Sequence, residues 1–267
     1  MASSGLCDQA EQRQINLSTR LKISKQTDTD SPSTLNIQRR KCFMEPARLI
    51  NFLKRTQLPY RLSVYQLLRE RAISDSADYA SDHLGQAMIF NKKEQLWNYA
   101  ASSAKLENGL ILEFGVFKGN SINHFSKIFG SETLHGFDSF EGLAEDWRGY
   151  HLTKGTFNLD GNLPKVNENV VLHKGWFDKT LPQFLKKAKS KIRLCHIDCD
   201  TYESASYVLT EISDILVKGS VIVFDEYYGY PNWRHGEFAA WQEVCSKHKI
   251  KYKYISFANM QVAVEIL

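Results

Sequence analysis

The run Leu110-Ile111-Leu112-Glu113-Phe114-Gly115-Val116-Phe117-Lys118-Gly119-Asn120-Ser121 most narrows the folds open to this chain. An apolar stretch, an acid and two spaced glycines read as a buried strand turning sharply into a helix. That helix is expected from about Asn120 to Phe129, where Ile122, Phe125, Ile128 and Phe129 recur at the spacing of one packed face. Glycine at the turn lets the backbone approach a ligand without a Cβ clash. Such a turn, at the end of a parallel strand, is where open α/β sheets bind nucleotide-like ligands. Its wording, E-x-G-x-x-x-G, differs from the three-glycine dinucleotide turn. An acid two residues before the first glycine would repel a phosphate and suits a ligand carrying an ammonium group. A purely structural acid is the alternative for Glu113.

The rest of the chain repeats the theme. Apolar runs at 133–137, 170–173, 192–197 and 219–224 are separated by helical patterns or loops, which predicts a mostly parallel sheet. The last two runs, at 252–256 and 260–266, are joined by a short turn and must pair antiparallel. The expected fold is therefore an α/β, doubly wound sheet with an antiparallel end. Ahead of it, residues 42–104 read as a helical flank that either packs on the sheet or caps a pocket. Its helical patterns run through Leu49, Ile50, Phe52 and Leu53, then Leu62, Val64, Tyr65, Leu67 and Leu68, then from Ala87 to Tyr99. Residues 1–41 are polar and read as a flexible tail, and residues 105–267 form the main domain. The long insertion at 141–168 has the length of a functional lid.

Several function classes are disfavoured. The net charge of +4 over 267 residues is mild and dispersed, which gives no reason to expect a nucleic-acid partner. The five cysteines, at 7, 42, 195, 199 and 245, form no metal-finger spacing and suit a reducing compartment. No stretch is apolar enough to span a bilayer, and no signal-peptide core is present. A cytoplasmic protein acting on a small molecule is expected, and a homo-oligomer is compatible with the chain.

The chemistry lies where strands end. Asp138 closes the second strand of the sheet, where an acid can accept ribose hydroxyls, although Asp-Ser is also good turn chemistry. Asp198, Asp225 and Glu226 close two further strands and should converge near Gly115. Three carboxylates brought together without a lysine call for a cation, and hard oxygen donors suit Mg²⁺, Ca²⁺ or Mn²⁺. Asp200-Thr201-Tyr202-Glu203 is close to a capping box, so Asp200 is assigned to the helix cap and Asp198 to the metal, with the reverse as the alternative. His235 and His196 are candidate bases. Tyr227, Tyr228, Tyr230 and Trp233 suggest either an aromatic entrance or ordinary packing.

These segments together carry a resemblance: EFGVFKGNS at 113–121, GFDSFEGL at 136–143, GWFDKTLP at 175–182, HIDCDTYES at 196–204 and VIVFDEY at 221–227. From about Met88 onward the chain resembles class I S-adenosylmethionine-dependent methyltransferases, most of all the macrocin O-methyltransferase (TylF-like) group. The resemblance implies a Rossmann-like sheet of seven strands with a reversed last strand. It implies that Glu113 and Gly115 lie against the methionine moiety, with Phe117, Gly119 and Ser121 of the same turn in cofactor contact. Asp138 would hold the ribose, with Ser139 next to it, and Gly175 and Trp176 would approach the adenine. Asp198 would serve both cofactor and catalysis, and a metal would sit on Asp198, Asp225 and Glu226. Many relatives end in Asp-Asp or Asp-Asn where this chain has Asp225-Glu226. The implied activity is metal-assisted O-methylation of a small hydroxylated molecule, of the sugar or natural-product glycoside class. Two other readings compete: a cofactor-binding module without turnover, and a nicotinamide-dependent oxidoreductase, which the missing third glycine disfavours.

Overall fold

A computed structural model describes residues 63–267. The tail at 1–41, the helical pattern around Leu49–Leu53, and Cys7 and Cys42 lie outside the described residues. Helix α1 spans Val64–His83, capped by Ser63, whose hydroxyl accepts from Gln66 N while the Gln66 side chain accepts from Ser63 N. Then come β1 (Met88–Ile89), α2 (Lys93–Ser103), β2 (Leu110–Phe114), α3 (Asn120–Phe129), β3 (Leu134–Asp138) and β4 (Val170–Lys174). The chain continues with α4 (Phe177–Lys187), β5 (Ile192–Ile197), α5 (Tyr202–Ile212), β6 (Val221–Phe224), α6 (Glu237–His248), β7 (Tyr252–Ala258) and β8 (Gln261–Ile266). Residues 139–169 hold no helix or strand.

One eight-stranded sheet runs in the order β1-β7-β8-β6-β5-β2-β3-β4, and only β8 is antiparallel to its neighbours. The seven expected strands are present with the reversed strand among them. The eighth, β1, falls where the sequence reads helical. Met88 and Ile89 pair in parallel with Ser256 and Phe257 through backbone alone, their side chains pointing largely to solvent. Two rungs at a sheet edge leave no period to detect.

Strand parity divides the core. Leu112, Phe114, Cys195, Ile197, Ile222 and Phe224 pack on the side of α5 and α6. Ile111, Leu194, Val221 and Val223 pack on the side of α2 and α3, under Trp97, Ile122 and Phe125. Every parallel strand delivers its C-terminal end to one edge, and the loops there build the site.

Helix α1 packs in an unexpected way. Val64, Leu67 and Leu68 are exposed, and its buried residues are Ala72 and Ser76. Its grip is polar. Asp75 accepts from Trp233 Nε1 at 3.0 Å and forms a two-pronged pair with Arg234, while Ser76 Oγ accepts from Gly229 N at 2.9 Å. The Tyr79 hydroxyl meets that of Tyr254 at 2.5 Å, which in turn meets that of Tyr227 at 2.6 Å. The helix thus holds the segment that follows β6.

At the far edge, His135 Nδ1 and His173 Nε2 lie 3.0 Å apart, with the His173 ring stacked on Phe137. Burial, with His173 beside it, pushes His135 down to about 4, and burial lowers His173. Groups held neutral in the fold favour the folded state above the unfolded histidine value of about 6.5, and that advantage is lost as pH falls toward 4. Thermal melting from neutral to acid pH should show this loss, and the double variant His135→Phe/His173→Phe should flatten it. An unchanged acid slope in the variant would refute the assignment.

Candidate active site

The turn after β2 is built around Gly115 and Asp138. Gly115 has φ +90°, and a Cβ there would overlap the carbonyl oxygen of Asp198, whose N–H bonds Phe114 O at 2.9 Å. Asp138 Oδ2 accepts the N–H groups of Val116 and Phe117, each at 2.8 Å, and Oδ1 accepts Phe140 N at 2.7 Å. These bonds hold Phe117 at φ +45°, a conformation that side chains other than glycine rarely adopt. Gly119, at φ +80°, opens α3. Asp138 therefore fixes the turn while also lining the cavity beside it.

Glu113 lies elsewhere than its resemblance implies. It sits opposite His196 in the β2–β5 register, on the face covered by α2 and α3. Its carboxylate accepts from Ser121 Oγ at 3.0 Å and meets His196 Nδ1 at 3.0 Å, with 2% of the residue exposed. It is not among the residues lining the cavity. Parity is the reason: a residue alternate to Leu112 and Phe114 faces the α3 layer, and a buried acid there needs partners. His196 Nε2 comes within 3.5 Å of Asp225 Oδ1, an ion-pair distance. Burial alone would depress His196, but Asp225 and Glu113 on either side hold it well above its ordinary value. Although burial opposes it, the His196 imidazole beside it keeps Asp225 below the usual carboxylate range. Gln261, opening β8, donates to the same Asp225 oxygen. A line of charges thus runs beneath the cavity floor from the glycine turn to β6.

The cavity lies at the C-terminal edge of the sheet. Gly115, Phe117, Asp138 and Ser139 form one wall, and Trp176 and Phe177 another. The insertion contributes Gly142, Leu143, Ala144 and Phe157, and the acids Asp198, Asp200, Asp225 and Glu226 close the far side. Carboxylate oxygens of Asp198, Asp200 and Glu226 lie within 4.8 Å of one another, and a second group joins Asp198 and Asp225 to His196. Burial and then repulsion from Asp225 push Asp198 and Glu226 well above the carboxylate range, and the same causes bring Asp200 to about 8. Glu226 Oε2 is buried with no hydrogen-bond partner. Clustered hard donors with an orphaned buried oxygen fit a divalent cation such as Mg²⁺.

Of the residues singled out from sequence, Gly115, Phe117, Asp138, Ser139, Trp176, Asp198, Asp225 and Glu226 meet in this cavity. Glu113, Gly119, Ser121 and Gly175 are not among its lining residues. Asp200 is not the helix cap. Thr201 fills that position, its hydroxyl accepting from Ser204 N at 3.4 Å, and Asp200, at φ +62°, turns toward the cavity. His235 is exposed in a separate depression with Arg148 and Tyr202, away from the acids. Tyr227, Tyr228, Tyr230 and Trp233 are buried core residues, so their packing reading holds and the entrance reading does not. The half-open aromatics on the cavity wall are Phe157 and Trp176.

Comparison with known proteins agrees with this geometry. A family model described as a methyltransferase domain matches residues 112–227, the span from β2 through the acids after β6. The structure of CalS11, described as a calicheamicin methyltransferase, superposes with a TM-score of 0.54 at 20% identity, covering 89% of this chain and 99% of that one. The O-methyltransferase NovP gives a TM-score of 0.50 at 19% identity, covering 65% of this chain and 78% of that one. No curated protein matches the chain in sequence. The fold is that of class I S-adenosylmethionine-dependent methyltransferases. The family match at residues 112–227 falls on the strands and loops that build the cavity.

Proposed function

We propose that this protein transfers a methyl group from S-adenosyl-L-methionine to a hydroxyl oxygen of a small molecule, of the sugar or natural-product glycoside class, with help from Mg²⁺. One observation carries the reading: the Asp198, Asp200 and Glu226 carboxylates share a cavity with the Gly115 turn and Asp138. A cavity that pairs a nucleoside-sized cleft with a cation site suits a donor and an activated acceptor side by side. The printed descriptions of CalS11 and NovP, as methyltransferases of which NovP acts on oxygen, point the same way. The macrocin-type grouping remains part of this proposal.

S-adenosyl-L-methionine supplies an electrophilic sulfonium methyl, and a divalent cation supplies the charge that lowers the pKa of a hydroxyl. The protein's part is placement. Asp138 Oδ1, with one N–H partner, keeps a lone pair for a ribose hydroxyl. Trp176 offers a ring face at the adenine end. Gly115, lacking a Cβ, lets the turn close against the Asp198 backbone and so brings the donor side of the cavity up to the acids. Asp198, Asp200 and Glu226 would hold the cation, and Asp225 stands behind them, tied to His196 and Gln261. Glu113 acts through His196 rather than by touching the donor. The cavity residues would hold the acceptor oxygen in line with the sulfonium methyl, so that the O–CH₃ bond could form as the S–CH₃ bond breaks, with the acceptor proton lost to water and S-adenosylhomocysteine left as the product. His235 lies in a separate depression and is not placed to act as the base, whereas Asp200 joins the carboxylates that would hold the cation.

Calorimetry with S-adenosylhomocysteine tests the donor site, and one-to-one binding is expected. Methyl transfer to a panel of hydroxylated sugars and glycosides, with and without a chelator, tests the rest. Folded protein that fails to bind S-adenosylhomocysteine would end the proposal.

A further inference from the structure

Strands β5 and β6 run side by side up to the bond from Asp225 N to Ile197 O at 2.9 Å, the last rung between them. Beyond it the two backbones part. One carries Asp198 and Asp200, the other Asp225 and Glu226. Glu237, the first residue of α6, enters the gap with no exposed surface. Its Oε1 accepts the N–H of Cys199 at 3.1 Å, and its Oε2 accepts the N–H of Glu226 at 3.3 Å. Two strands that have ceased to bond each other are thus bonded to one carboxylate. The side chain adds a rung to the ladder where the backbone cannot.

Capping of its own helix does not explain this acid, since α6 has no side-chain cap bond and Glu237 reaches residues 38 and 11 positions away. Burial pushes the Glu237 carboxyl up to about 8, and its bonds from Cys199 N and Glu226 N act against that shift. Gly236, just before it, lets the Tyr230 hydroxyl lie against the start of α6, where a Cβ would overlap it.

We propose that Glu237 is a positioning residue that sets the spacing between the Asp198–Asp200 and Asp225–Glu226 carboxylates, and thereby the affinity of the site for its divalent cation. The proposal rests on the metal-assisted reading above. It makes a demand that a merely buried acid would not. Both carboxylate oxygens accept, whereas the amide of glutamine accepts on one atom only and turns N–H toward N–H on the other. Glu237→Gln keeps size and removes one of the two bonds.

The test is Mn²⁺ binding to the metal-free full chain, followed by electron paramagnetic resonance. S-adenosylhomocysteine calorimetry and thermal melting serve as parallel readouts. Glu237→Gln should weaken Mn²⁺ by roughly 10–100-fold, the usual effect of removing a group that orients metal ligands, while S-adenosylhomocysteine affinity holds. Should Glu237→Gln fail to fold, Glu237→Asp keeps the charge but withdraws the carboxylate by one methylene, and weakened Mn²⁺ binding is again expected. Wild-type Mn²⁺ affinity in a folded variant overturns the brace and leaves the metal site standing. A wild-type protein that binds no Mn²⁺ removes both.

Discussion

Asp198→Ala should give a folded protein that still binds S-adenosylhomocysteine but transfers methyl groups about a thousandfold more slowly, equivalent to about 4 kcal/mol of charge stabilisation. Asp198 belongs to both carboxylate groups in the cavity, so its loss dismantles either arrangement of ligands. Stability should move the other way. Burial and the neighbouring Asp225 push the Asp198 carboxyl well above its ordinary range, so its charged form is disfavoured in the metal-free fold. Removing it relieves that repulsion, and the metal-free thermal midpoint should hold or rise, as happens when a functional site is built against stability. Activity, calorimetry and melting together decide the matter. Turnover within tenfold of the wild type would sink the role assigned to Asp198.

Much of this was legible in the sequence, and the reasons differ by residue. Asn120–Phe129 reads as a helix and is one, because Ile122, Phe125 and Phe129 keep a helical period against the sheet. Asp198, Asp225 and Glu226 converge because parallel strands all end at one edge. Register is what stayed hidden. Glu113 faces His196 across 83 residues of sequence, and no local pattern reveals that β2 and β5 pair with those two opposite. The cap of α5 lies one residue beyond the one the sequence suggests, since Thr201 fills it and frees Asp200 for the cavity. Glu237 resembles any acid favoured at a helix start, and only the splayed strands in front of it give the side chain its work. The Tyr227–Trp233 aromatics mislead in another way. A cluster of rings after a strand looks like an entrance, but α1 covers it, and that helix lies outside the recognisable motifs.

Gly115→Ala and Gly155→Ala form the second large contrast, because the two positions share a backbone conformation and differ in surroundings. Both glycines have strongly positive φ, +90° and +80°. At Gly155 an added Cβ meets nothing within 4 Å, so only left-handed strain remains, roughly 1 kcal/mol. That should lower the thermal midpoint by about 2–4 °C and leave donor binding unchanged. At Gly115 the same methyl overlaps the backbone carbonyl of Asp198, which is fixed from its own N–H to Phe114 O at 2.9 Å. No rotamer can yield, so β2 and the segment after β5 must separate, a distortion expected to cost about 4 kcal/mol or more. The separation opens the turn that Asp138 closes and displaces the first acid of the cation site. S-adenosylhomocysteine and Mn²⁺ affinity should therefore fall together, which calorimetry on the soluble variant can show. Equal effects at the two glycines would mean that strain alone governs the turn, and that the contact between Gly115 and Asp198 does not couple the donor site to the acids.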